Sequence, residues 1–88
     1  MPVMEDLHSI VKIKDFGRVS LKLNLLMDEY KINRNTLRLN TGTQFSVIDK
    51  WYSGKVEKLD LDILARICYV LGCEVGDILQ YEPPKEQE

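Results

Sequence analysis

Two glycines, Gly42 and Gly54, enclose a short helical pattern, and that arrangement constrains the fold of this chain most. Between them Val47, Ile48 and Trp51 fall on one side of a helix running from Gln44 to Tyr52. Upstream, Asn33 is a good N-cap for a short helix reaching about Asn40, with Leu37 as its apolar anchor. Thr41-Gly42-Thr43 is then a turn, and Gly42 can take the positive φ that such a turn demands. Ser53-Gly54 closes the second helix. Two short helices joined by so tight a turn must cross and share a core, so Ile48 and Trp51 are expected to point inward.

The flanks support this unit. Val19-Ser20-Leu21-Lys22-Leu23 alternates apolar and polar as a short strand does. Leu23, Leu26, Met27 and Tyr30 then follow helical spacing to about Lys31, where Ile32-Asn33 interrupts. Lys55 to Leu59 is a polar connection. Asp60 caps a fourth helix, Asp62 complements its dipole, and Leu61, Leu64, Ile67, Cys68 and Leu71 form its apolar face up to Gly72. Val75 to Leu79 is one more helical turn, and Leu79-Gln80-Tyr81 can finish as a strand. The expected division is an N-terminal extension over 1–18, a domain over 19–81 and a flexible tail over 82–88. Residues 1–17 show neither helical nor strand period, and His8 has no partner legible in sequence.

A chain of 88 residues with 44% hydrophobic content can build one small core. The net charge of −2 conceals a division. Residues 12–58 carry ten Lys and Arg against five acids, whereas residues 59–88 carry two against seven. One half is suited to a polyanion and the other faces away from it. Lys12, Lys14 and Arg18 form a solvated edge or an arm toward that polyanion.

Other chemistries lack their residues. Cys68 and Cys73 have no second Cys/His pair, so no zinc site is expected, and both are expected to be reduced and largely buried, as in the cytoplasm. No apolar run approaches the roughly 18 residues of a membrane span, and Glu5 and Asp6 argue against a secretory leader. Neither cysteine has a paired base, and helix capping explains Asp60 and Asp62. No enzyme, cofactor, membrane or small-molecule substrate is expected.

Two helices and a glycine turn form the helix-turn-helix plan, in which the free face of the second helix enters a major groove about 12 Å wide. That face holds Gln44, Phe45, Ser46, Asp49 and Lys50. From Leu21 to Tyr81 the chain resembles the Cro/lambda-repressor type, or XRE, helix-turn-helix family, in its compact single-domain bacterial form. The resemblance rests on Gly42, Ile48, Trp51 and Gly54 at their spacing and on the ending Gly76-Asp77-Ile78-Leu79. It implies an all-α, five-helix lambda-repressor-like domain, to which the segment before the first helix and the C-terminal segment can add a small two-stranded sheet. It also implies a homodimer on palindromic double-stranded DNA. The resemblance places Gln44, Phe45, Ser46 and Lys50 at base edges or nearby phosphates, and Arg34, Ser53 and Lys55 along the backbone. Glutamine can pair with adenine, an apolar ring can meet the thymine methyl, and lysines neutralise phosphate.

Three positions depart from the family pattern. Arg38 stands where a small residue is usual, and must run outward or part the helices. Thr43 stands where Ile or Val is usual; its hydroxyl needs a partner or caps the third helix. Asp49 repels phosphate unless it accepts from cytosine N4, pairs with Lys50 or meets a neighbouring base-reading group. Phe45 can face DNA or tuck against the helix that follows Asn33, and Tyr69 is surface or interface. The expected function is a sequence-specific regulator, a repressor acting by occlusion. The alternatives are a protein-binding adaptor and an antitoxin, each keeping the fold with weak or no DNA binding.

Overall fold

The computed structural model describes residues 15–85, so His8, Lys12, Lys14 and the end of the tail lie outside the described residues. The elements run β1 (Arg18–Leu21), α1 (Leu23–Tyr30), α2 (Arg34–Thr41), α3 (Phe45–Ser53), α4 (Leu61–Leu71), α5 (Val75–Ile78) and β2 (Leu79–Glu82). The expected five helices and two-stranded sheet are therefore present. β1 and β2 pair antiparallel, Arg18 opposite Glu82 and Leu21 opposite Leu79, one residue longer at each outer end than the alternation suggested. Leu23, which falls on both the strand alternation and the helical spacing, opens α1 and is fully buried, so the strand is short and runs almost directly into that helix.

Each helix contributes one to three apolar residues to one core. Leu23 and Met27 come from α1, Leu37 from α2, Ile48 and Trp51 from α3, Leu64, Ile67 and Leu71 from α4, and Ile78 from α5. α3 packs on both α1 and α2, α2 on α4, and α5 on α1. The Lys22 amide donates to the Ile78 carbonyl (2.6 Å), tying the entry of α1 to the exit of α5. Two apolar expectations are corrected. Leu61, in the first turn of α4, is 72% exposed, because the core seam of that helix runs through Leu64, Ile67 and Leu71. Tyr30, in the last turn of α1, is also exposed.

Helix ends carry the signals that hold these angles. The Asn33 side chain accepts from the Thr36 amide (2.8 Å), and that of Asp60 accepts from the Asp62 amide (2.9 Å), as expected of N-caps. At α5 the Glu74 amide donates to the Asp77 carboxylate (2.9 Å). α2, α3 and α4 close on Gly42, Gly54 and Gly72 in the left-handed region. α1 closes on Lys31 with φ 59°, a non-glycine residue in the conformation that disfavours a Cβ. Cys68 and Cys73, expected to be largely buried, are half-buried free thiols. They flank the end of α4, where the Cys73 amide donates to the Cys68 carbonyl (3.1 Å). Desolvation first, and the neighbouring Cys68 second, push the Cys73 thiol up to about 11.

Candidate nucleic-acid interface

The turn at Gly42 sets the angle between α2 and α3. Gly42 has φ 71°, and its amide and that of Thr43 both donate to the Arg38 carbonyl. The buried Thr41 hydroxyl donates back to the Leu37 carbonyl (2.8 Å) and shares a hydrogen bond with the Thr43 hydroxyl (2.8 Å). Thr43 therefore satisfies its hydroxyl within the turn and does not cap α3; the residue before α3 is Gln44, whose side chain makes no capping bond. Arg38 takes the outward course, its Nε donating to Asn35 on its own helix (3.0 Å). Arg66, not singled out in the sequence, donates from α4 to the Thr41 carbonyl (3.0 Å) while pairing with Asp62 (3.0 Å). A cation at the C-terminus of α2 suits the helix dipole there.

α3 presents three stripes. Val47, Ile48 and Trp51 face the core, and Trp51 is 3% exposed. Ser46, Lys50 and Ser53, at i, i+4 and i+7, are all exposed. Phe45, Asp49 and Tyr52 share the third stripe at the same spacing. The sequence grouped Phe45, Ser46, Asp49 and Lys50 as one free face; the structure divides it in two.

Arg34, the first residue of α2, accounts for that division. Its Nη1 lies 2.5 Å from the Asp49 carboxylate, with the two side chains 44% and 46% exposed. The guanidinium carbon stands 4.9 Å from the Tyr52 ring centre and 5.7 Å from that of Phe45, so the cation also meets two aromatic faces. Tyr52 in turn donates to Asp28 on α1 (3.0 Å). That hydrogen bond first, then desolvation and the charge of Asp28, hold the Tyr52 hydroxyl above the usual phenol range. Asp49 thus pairs with Arg34 and not with Lys50. A cation on the neighbouring helix is visible only once the two helices are docked.

Gln44 stands exposed at the N-terminus of α3, and Lys55 is exposed just past its C-terminus. The Ser53 hydroxyl folds back on the Asp49 carbonyl (2.9 Å). An open groove of about 610 Å³ lies between α3 and the connection to α4, with Lys50, Lys55 and Lys58 against Glu57 and Asp60 among its lining residues. The arrangement offers a rigid helix with a polar stripe and lysines beside it, the requirements for entering a groove and neutralising phosphate. Among the described residues no three His, Cys, Asp or Glu side chains cluster to hold a metal ion, and no helix is long and apolar enough to cross a membrane.

Comparison with known proteins follows the same lines. The family model of the Cro/C1-type HTH DNA-binding domain matches residues 22–84. Among solved structures, that of the transcriptional regulator VanUg is similar over 82% of this chain and 96% of its own, with 32% sequence identity and a TM-score of 0.62. Comparison with the curated proteins gives no match.

Proposed function

The chain belongs to the Cro/C1-type helix-turn-helix DNA-binding family, and on that premise we propose that it is a transcriptional regulator that inserts α3 into the major groove of double-stranded DNA. One observation carries the reading: α3 is anchored by Ile48 and Trp51 while its opposite stripe, Ser46, Lys50 and Ser53, is exposed and polar. The similarity to a transcriptional regulator supports the regulatory role. Gln44, Phe45, Ser46 and Lys50 meet base edges and nearby phosphates; Arg34, Ser53 and Lys55 lie along the backbone. Two protomers place their α3 helices about 34 Å apart on an inverted repeat, and the bound dimer represses by occluding polymerase in the cytoplasm. The outer edges of the β1–β2 sheet are one surface where a second protomer can join.

The test is a titration against duplex DNA from upstream of the protein's own gene at 50 and 200 mM salt. A phosphate-dependent binder loses affinity steeply across that range. Absence of binding at the lower salt would contradict the proposal. Sedimentation should find a dimer, and a monomer at every concentration would remove the palindrome from it. A second reading, the protein-binding adaptor or antitoxin, draws on one observation. α4 exposes Leu61 and Tyr69, the latter 88% exposed. Capture of a protein partner without any DNA affinity would favour it.

A further inference from the structure

The stripe of α3 beside the open one is occupied by a cation from another helix. Arg34 contacts Asp49 through charge and Phe45 and Tyr52 through their rings, and Asp28 holds the Tyr52 hydroxyl. An arginine so placed has a carboxylate partner before any phosphate arrives. To give that Nη1 to a phosphate it must leave its partner, and Asp49 would then face a polyanion half exposed and unneutralised. Phosphate contacts are the sequence-independent part of DNA affinity, so a cation withheld this way lowers binding to any sequence alike. The withholding ends where another donor satisfies Asp49. In the major groove the available donors are the amino groups of cytosine (N4) and adenine (N6).

We infer that Asp49 is a specificity-determining residue that keeps Arg34 off the phosphates of DNA of arbitrary sequence and releases it where a base amino group takes its place. The inference rests on the proposal that α3 enters the major groove. Asp49 discriminates by restraining a contact, and its removal makes the protein bind DNA more tightly and less selectively.

The experiment measures fluorescence anisotropy of a 24-base-pair duplex of random sequence with the full chain. It compares the parent protein with Asp49→Ala, Arg34→Gln and the double variant at 50 and 200 mM salt. Asp49→Ala should bind more tightly at 50 mM. Its affinity should fall by about 3.5-fold more per protomer between the two salts, the effect of one added phosphate contact. In the Arg34→Gln background the same substitution should add nothing to the salt dependence. An equal gain in both backgrounds would mean that Asp49 acts by its own repulsion, and would overturn the inference, as would no gain. If none of the four proteins binds the duplex at 50 mM, the groove-binding proposal falls and this inference with it. Trp51 fluorescence during urea unfolding checks that each variant is folded. Asp49→Asn, which loses the charge and keeps the shape, is the second variant and should show a smaller gain of the same sign.

Discussion

Replacing Gly42 with alanine isolates the cost of the turn that orients α3. The residue sits at φ 71°, and a Cβ added there would meet only Arg66 Nη1, at 3.6 Å, an ordinary contact. The whole cost is therefore backbone strain, about 1–2 kcal/mol for an L-residue in the left-handed region. For a domain of this size that lowers Tm by about 4–8 °C per kcal/mol. Trp51 is the only tryptophan of the chain and is 3% exposed, so its fluorescence reports loss of the α3 packing directly. Urea unfolding of Gly42→Ala should show a lower midpoint and an unchanged slope. Gly42→Asn should fall between the two, since Asn tolerates this region better. An unchanged midpoint for alanine would refute the left-handed turn. A loss beyond about 4 kcal/mol would also count against the reasoning, because strain alone does not reach it. Gly17→Ala is the contrast: its Cβ would lie 2.3 Å from the Glu82 carbonyl oxygen, so the end of the β1–β2 sheet must open.

Lys31→Gly should stabilise the chain by about 0.5–1 kcal/mol in the same unfolding assay, because it relieves the one positive φ held by a non-glycine residue among those described. With its pKa raised to about 11, the Cys73 thiol stays protonated at pH 8, and mass spectrometry should find its alkylation by iodoacetamide roughly 20-fold slower than for free cysteine. The sign for stability is the same: the raised value favours the folded state below the ordinary thiol range, and that contribution disappears as pH rises toward 11. In DNA titrations Lys55→Ala should weaken all sequences by a similar factor, whereas Gln44→Ala should narrow the difference between strong and weak sites.

The fold was legible where local chemistry decides it. Asn33, Asp60, Gly42, Gly54 and Gly72 act on backbone groups within a few residues, so their caps and stops follow from spacing alone. Lys31 was not legible as a cap, because a lysine has no general claim to the left-handed region, although the Lys31 amide closes α1 on the Asp28 carbonyl. Leu61 looked like core because it falls near the seam of α4, but the first turn meets the core through Ile63 and Leu64 and leaves Leu61 outside. The candidate site was legible as a helix and only partly as a surface. Helical spacing singles out Phe45, Ser46, Asp49 and Lys50, but it cannot say that Arg34 lies across one of their two stripes. That contact joins residues 15 apart on two helices, and it depends on the crossing angle set at Gly42. Arg66 escaped for the same reason, since its hydrogen bond to the Thr41 carbonyl spans 25 positions.

The central claim, that α3 meets DNA through its open stripe, is tested most directly by amide chemical shifts of the full chain as duplex DNA from upstream of its gene is added. The account predicts the largest changes at Ser46, Lys50 and Ser53 of that stripe and at Gln44, Phe45 and Lys55 beside it, with the β1–β2 sheet, Leu61 and Tyr69 little affected. Changes confined to Leu61, Tyr69 and the sheet, or a spectrum that DNA leaves unaltered at low salt, would contradict it.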